Sequence, residues 1–517
     1  MVVAAAAAAA AAVSRRPGVA LAVVVAGVLA LVALSAGGRG HRGGLGVGLP
    51  DASAPVPGRQ PRPSLVVVLA DDLGYGDVGY NNPALGGGVT RNLDELARSA
   101  HVVRFDAFHA EVTCSPARAA LLTGRAPVRD CVAGPNAAMD RVFVAEYRAE
   151  NPLRRDAPSV AADARDAGYA TAFFGKWHLG SLQSPNENPS RFGFDAWMAT
   201  QGNVPTFDPT CFDDPATENA CDRPLPVPKA HVRGPALTAT CVARVRDRVT
   251  NDSLCVVVKE RAGSFFCGAK RVAAECHLGL HNSYPGSTFS YPWSARFYAS
   301  PSGGSVTIPR ARSSASVLAD AFARFVRNVP PAQPLLAVVA FHEPHAPFIA
   351  PPSTKSCEDV LPPAKCAELR STAKPEDEYR GVEANFAADY YAAIKEMDDA
   401  LGVVMRTLVS SGRDAMVLFA SDNGPERPGY LGYGTANPFR GHKRDLSEGG
   451  HRVPALLWWP SRISRNAVVR APVAITDWAA TVADVIGSQP IASKPRDGVS
   501  WMGLLEHLAS GKSPSTW

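Results

Sequence analysis

The chain has 517 residues, 46% hydrophobic and 20% charged, which is the composition of a folded protein and excludes a disordered one. At that length, one large domain with a smaller appendage is expected. The formal charge of +5 sits in residues 1–63, which hold six arginines against the single acid Asp51; the remaining 47 basic and 47 acidic residues cancel. Such a balance gives no electrostatic footprint for nucleic acid, and no nucleic-acid partner is expected.

In chain order, an alanine tract is followed by Ser14-Arg15-Arg16, then by an uncharged apolar run from Gly18 to Ala36 with small residues at Ala33, Ser35 and Ala36. Residues 1–36 read as a signal peptide or, since the run is about long enough to span a bilayer, a signal anchor. An organelle transit segment is the third reading. The secretory pathway follows as the expected route, with a secreted, lysosome-like or Golgi and membrane-anchored destination. Residues 37–63, rich in Gly, Pro and Arg, read as a flexible linker.

"SLVVVLADDLGYGD" (64–77) is a continuous apolar run ending in two aspartates and a glycine-rich turn. "LLAVVAFHEPH" (335–345) and "DAMVLFASDNGPE" (414–426) repeat the design. Runs apolar on both faces suit parallel strands buried between helices. Helical patterns over Asn92–Ala100, Ala157–Ala167, Tyr390–Ser411 and Thr476–Ile486 alternate with them, so the expected class is α/β with a large, mostly parallel central sheet flanked by helices. Ligands of such sheets bind at the carboxyl ends of the strands, where these polar clusters lie.

Ten cysteines are present, six of them between Cys211 and Cys276, which suggests a cysteine-rich insertion over residues 205–300. Cys357 and Cys366 bracket a short segment that one bridge could close. Asn251-Asp252-Ser253 is a glycosylation sequon.

The chemistry-bearing groups fall into three kinds. Asp71, Asp72, Asp422 and Asn423 offer the oxygen ligands that hard dications such as Ca²⁺ or Mg²⁺ prefer, although such residues also merely end strands. Lys176 and His178 in "GKWHLG", His342 and His345 in "FHEPHAPF", and Lys443 in "FRGHKRDLSEGG" bring cations and imidazoles suited to a multiply charged oxyanion such as sulfate or phosphate. Cys114 in "CSPARAALLTGR" precedes a helix-forming run, and Arg118 follows it. It could be a disulfide half, for instance with Cys131, a buried thiol, or a thiolate nucleophile whose pKa is lowered by the helix start.

Together, "ADDLGYGD", "CSPARAALLTGR", "GKWHLG", "SDNGPE" and "RGHKRDLSEGGHRVPALLWWP", in this order, resemble the formylglycine-dependent sulfatases of the alkaline-phosphatase-like superfamily, of the arylsulfatase and N-acetylgalactosamine-sulfatase kind. The resemblance implies hydrolysis of sulfate monoesters, of sulfated carbohydrates in nature and of aryl sulfates as test substrates. It implies that a formylglycine-generating enzyme oxidises Cys114 to Cα-formylglycine before folding. The hydrated aldehyde would supply the nucleophile, and the nine remaining cysteines, an odd count, would leave at least one free or paired to another chain. Asp71, Asp72, Asp422, Asn423 and residue 114 would then hold one Ca²⁺. Arg118 would stabilise the ionised hydrate and Lys176 and Lys443 would bind sulfate. His178 would orient the hydrate, and His345, with His342 ranked second, would serve the leaving alcohol.

Residues 64–204 and 301–517 would be the two parts of the catalytic domain. Ala117 stands where many relatives carry Ser. The small C-terminal subdomain of relatives is expected to be missing or shortened here. A phosphate or phosphonate monoester hydrolase on the same fold, and a sulfated-glycan-binding protein without catalysis, are the alternatives.

Overall fold

A computed structural model describes residues 62–130, 132, 152–202 except 183 and 201, and 312–514 except 346–349, 352, 355, 373–379, 428–432 and 489–494, together with the backbone of strands between 239 and 307. The expected signal segment, nearly all of the linker, the sequon asparagine and most of the cysteine-rich insertion lie outside the described residues. No helix among the described residues is long and apolar enough to cross a membrane.

The elements in chain order are β1 (Ser64–Ala70), α1 (Arg91–Arg98), β2 (Val102–His109), α2 (Cys114–Thr123), α3 (Val160–Asp166), β3 (Ala170–Lys176), β4 (Ala196–Thr200) and β5 to β7 (Ala239–Arg246, Ser253–Arg261, Ser264–Gly268). Next come β8 (Arg296–Ala299), β9 (Gly304–Thr307), α4 (Ser314–Asn328), β10 (Leu335–Ala340), α5 (Pro363–Thr372), α6 (Arg380–Ser410) and β11 (Ala415–Ser421). The chain then runs through β12 (Arg452–Trp458), β13 (Ala467–Val469), β14 (Val473–Ala474), α7 (Asp477–Ile486) and α8 (Met502–Ala509).

One sheet has the order β13-β2-β12-β11-β1-β10-β3-β4-β8-β9, with β14 also on β2. Its centre is parallel: β11, β1, β10, β3 and β4 all run one way. The strand β12 turns antiparallel against β11 and β2. The physical reason for the parallel centre is visible in β1. Val66, Val68 and Ala70 pack into one hydrophobic cluster and Leu65, Val67 and Leu69 into another on the opposite face. A strand buried on both faces has no use for polar alternation, which is why its sequence is uninterrupted Val and Leu. The mostly parallel α/β class expected from sequence is what the structure shows.

Helix boundaries differ from the sequence patterns mainly at their starts. The Tyr390–Ser411 pattern belongs to a helix already under way at Arg380, and the Ala157–Ala167 pattern begins only at Val160, where Ser159 caps the turn by accepting from the Ala161 and Ala162 amides. The helix α4 and the strand β12 carried no sequence expectation. Gly175 is required where it is: its φ is +107°, and a Cβ there would come within 1.8 Å of the Ala340 carbonyl oxygen on β10.

The Cys357–Cys366 disulfide closes a loop of nine residues' separation beside the start of α5. Replacing both cysteines by serine is expected to lower the unfolding free energy by about 2–3 kcal/mol, the chain-entropy value for so short a loop. The shift in denaturant midpoint reads this directly.

Candidate active site

Four adjacent strands stop together. Ala70 ends β1 level with Ser421 on β11, while Leu69 faces Ala340 on β10 and Ala340 faces Gly175 on β3. The polar residues that follow are therefore delivered side by side: Asp71 and Asp72, Asp422 and Asn423, His342 and His345, with Lys176 closing β3 and His178 behind it. Cys114 and Arg118 come from the first turns of α2, four residues apart and so on one helix face. The helix starts at Cys114 itself, two residues before Pro116, with Thr113 extended before it and Gly124 in the left-handed region (φ 70°) after it. A loop returning toward the site brings Lys443, pinned by its amide on the Pro425 carbonyl at 2.8 Å. Three non-glycine residues take positive φ among those described, Asp72 (66°), His178 (54°) and Arg444 (74°), all at this site. Strained backbone gathers where geometry is fixed for function.

Every expected site residue lies at these strand ends or against them, and all are buried; His342 is held through Nε2 by Thr200 Oγ1 on β4 at 2.6 Å. Lys176 Nζ donates to Asp71 Oδ2 at 2.5 Å, and Arg118 Nη2 donates to Asp422 Oδ2 at 2.7 Å while lying 3.5 Å from Asp71. Lys443 Nζ reaches Asp72 Oδ1 at 2.6 Å, and His345 Nε2 lies 3.4 Å from Asp72 Oδ2. Asp71, Asp72 and Asp422 thus face Arg118, Lys176 and Lys443, three charges of each sign. Burial alone would raise Asp71, but Lys176, His345, Arg118 and Lys443 hold it well below the usual carboxylate range. Burial, helped by neighbouring Asp71, pushes Asp422 up to about 6. Burial, with Lys176 and Arg118 nearby, keeps His178 well below the ordinary imidazole value. Burial does the same to His345 against the pull of Asp72, and takes His342 down to about 3.

Cys114 Sγ lies 3.4 Å from Asp71 Oδ1 and 4.0 Å from Asp72 Oδ1. It forms no disulfide, and Cys131 lies outside the described residues. Burial pushes its thiol up to about 12 in spite of Lys176 and Lys443. Burial thus opposes the thiolate that the helix start, Lys176 and Lys443 would favour.

The residues fit a hard cation. Asn423 Oδ1 is buried and accepts no hydrogen bond, while its Nδ2 donates to Asp72 Oδ1 at 2.7 Å. Potential ligand atoms of Asp71, Asp72, Cys114 and His345 all lie within 4.8 Å of one another. Clustered carboxylates with an uncommitted amide oxygen are donors of the kind a hard dication takes.

Sequence reasoning missed the acids that brace this cluster. Asp77 accepts from the Gly74 and Thr435 amides (each 2.9 Å) and from Tyr390 and Tyr391 on α6 (2.8 and 3.3 Å), which folds the 71–77 loop back on itself. Glu343, pushed up to about 7 by burial, accepts from Ser314 Oγ and the Ala315 amide at the start of α4, and its carbonyl takes the Asp71 amide at 3.1 Å. Glu426 pairs with both its oxygens to Arg444 Nη1 at 2.7 Å. Asp77, Glu343 and Glu426 stand inside "ADDLGYGD", "FHEPHAPF" and "SDNGPE", beside expected site residues, and that was the available signal.

Residues 63–488 match the protein family described as Sulfatase. The chain belongs to the sulfatase family. A mouse steryl-sulfatase is 32% identical over 479 residues, covering 88% of this chain and 67% of that protein. A mouse N-acetylgalactosamine-6-sulfatase is 26% identical over 472 residues, 90% of this chain and 69% of that one. Among solved structures, that of Ps i-CgsB in complex with k-i-k-neocarrahexaose aligns with a TM-score of 0.58 at 20% identity, covering 88% of this chain and 77% of the other, a likeness of fold. This sulfatase is accordingly a sulfuric ester hydrolase on an alkaline-phosphatase-like fold.

Two outcomes follow from the buried charges. Arg118→Ala leaves Asp422 and Asp71 without their guanidinium and is expected to cost about 3–5 kcal/mol of stability in the metal-free protein, read as a lowered denaturant midpoint. Protein that retains cysteine at position 114 is expected to resist iodoacetamide at pH 8 until it is denatured. Mass spectrometry of the Cys114 peptide checks this, and rapid labelling of the native protein would restore the thiolate reading.

Proposed function

We propose that this sulfatase releases sulfate from sulfated carbohydrates, with residue 114 acting as a Cα-formylglycine hydrate beside a bound Ca²⁺. The observation that carries the reading is the charge balance around Cys114: three buried carboxylates against three buried cations. A dication added to a neutral cluster leaves a surplus of two positive charges. A sulfate monoester and an ionised hydrate, each carrying one negative charge, restore neutrality.

Asp71, Asp72, Asp422, Asn423 and residue 114 would hold the calcium, which supplies polarisation of the sulfate oxygens and of the hydrate. The Cys114 Sγ stands where a hydrate oxygen would be. Lys176 and Lys443 now lean on Asp71 and Asp72, and with the metal in place they turn their remaining donors to sulfate. Arg118, with one amino group on the Lys176 carbonyl at 2.6 Å and the other on Asp422, fixes the floor beneath residue 114 and offsets charge there. The hydrate is oriented by His178, held by its carbonyl on Ser115 Oγ at 2.8 Å; its Nδ1 is buried and has no hydrogen bond. Sulfate arriving beside His345 would raise that imidazole's affinity for a proton; the ring would take the one released when the hydrate ionises and pass it to the departing alcohol oxygen. As the hydrate oxygen bonds to sulfur, the ester's sulfur–oxygen bond would break. The second hydroxyl would then expel sulfate by carbon–oxygen cleavage, leaving an aldehyde that water rehydrates, so that ester and water give the alcohol and inorganic sulfate.

The carbohydrate assignment draws on the sugar named for the N-acetylgalactosamine-6-sulfatase relative. Targeting through residues 1–36 to the secretory pathway would bring the chain to a formylglycine-generating enzyme.

Expression through a eukaryotic secretory pathway, followed by mass spectrometry of the tryptic peptide Phe105–Arg118, tests the reading. Residue 114 is expected to have lost one sulfur and two hydrogens and gained one oxygen relative to cysteine. In the same preparation, Cys114→Ser is expected to lower steady-state hydrolysis of p-nitrophenyl sulfate by about a thousandfold or more. Full turnover by that variant, or by protein bearing an ordinary thiol, would overturn the mechanism.

A further inference from the structure

Beside the buried cluster, two imidazoles and a carboxylate meet at the protein surface. His109 is the last residue of β2, and His451 closes a single helical turn, Glu448–His451, that leads into β12. Their Nδ1 atoms are 3.0 Å apart, with ring centroids separated by 5.2 Å. Glu448 precedes His451 by three residues and so shares its face of the turn. Ligand atoms of all three lie within 4.8 Å of one another. Both histidines are half-buried and Glu448 is exposed, which leaves the group open to solvent ions.

The arrangement is held by main chain. The Ala110 amide donates to the His451 carbonyl at 2.8 Å, and the Ile475 amide to the His109 carbonyl at 2.9 Å. Burial keeps His109 below the ordinary imidazole value, against the pull of Glu448. Glu448 Oε2 accepts from Arg452 Nη1 at 2.8 Å. That guanidinium is anchored independently, through Nε on the Asp106 carbonyl at 2.8 Å and over the Phe439 ring at 4.1 Å, so Glu448 can turn away without freeing it. Two imidazole nitrogens on a tetrahedral Zn²⁺ stand about 3.3 Å apart at ordinary Zn–N lengths. Opening the pair by a few tenths of an ångström therefore suffices.

We infer that His109, Glu448 and His451 form a second metal site, one for a transition-metal dication of the zinc type, with water completing the coordination. Two nitrogens and one carboxylate select a borderline-soft ion and discriminate against Ca²⁺. The site bridges two segments that serve the reaction centre. His109 lies five residues before Cys114, and the Glu448 turn follows the Lys443 loop, whose Arg444 amide already meets the Val112 carbonyl at 2.9 Å. A metal there adds a cross-link between them and stabilises the folded chain.

The test uses the full chain without a histidine tag, in millimolar Ca²⁺ so that the carboxylate site is filled, titrated at pH 7.5 with Zn²⁺ by calorimetry and with Co²⁺ by visible absorption. One equivalent is expected, with the intense bands of four-coordinate cobalt, and the melting temperature is expected to rise with Zn²⁺. His109→Gln and His451→Gln are each expected to weaken binding by about tenfold or more, and the double variant to abolish it. Should a histidine variant fail to fold, Glu448→Gln at the exposed position gives the same reading, with binding weakened severalfold. No uptake at about 100 µM metal, a weak octahedral cobalt spectrum, or uptake unchanged in the variants would overturn the site.

Discussion

Six ionised side chains have been taken out of water at the carboxyl ends of four parallel strands, and most of the surrounding structure exists to make that tolerable. Each charge withdrawn into a low-dielectric interior carries a penalty of several kcal/mol unless a partner meets it closely. Here the pairing is near complete: Lys176 with Asp71, Lys443 with Asp72, Arg118 with Asp422. The strands supply the spacing, since parallel register sets their ends level and the next residues have nowhere to go but into the same pocket. Such a cluster is stiff, and stiffness is what a site that must stabilise a brief charge distribution requires.

A ring of hydrogen-bonded acids keeps the cluster in place. Asp77 gathers two amides and two tyrosine hydroxyls, and Glu343 ties the start of α4 to the loop after β10. Both fix backbone that carries a charged residue, and the positive φ of Asp72 and His178 shows how far that backbone is bent to aim them.

The sequence made the site residues legible because each lies within a few positions of a strand end or a helix start, where local pattern is strongest. β1, β10 and β11 announced themselves as unbroken apolar runs, and the parallel class followed from them. Less could be read where pairing depends on distant chain. The antiparallel turn of β12 against β11 is set by tertiary fit, not by the composition of "RVPALLW". The roles of Asp77, Glu343 and Glu426 depend on partners such as Tyr390, Ser314 and Arg444, which no local periodicity connects to them. His109 and His451 are 342 positions apart, and only the folded sheet makes them neighbours. The expected lowering of the Cys114 pKa by the helix start was outweighed by burial, a quantity that sequence does not contain.

The burial of Cys114 has a kinetic side. With 3% of its surface exposed, the residue is beyond the reach of any modifying enzyme once the sheet has closed over it. Any such enzyme is therefore in a race with folding, and a chain that folds first is committed for its lifetime. The topology slows that race: β1 must find β10 and β11 across roughly 270 and 350 residues of intervening chain, and such long-range parallel pairing is intrinsically slow. The same sheet that shuts residue 114 away leaves it accessible for longest during synthesis. If residue 114 is modified as proposed, faster folding would raise the yield of folded chains while lowering the fraction of them that carry the modification.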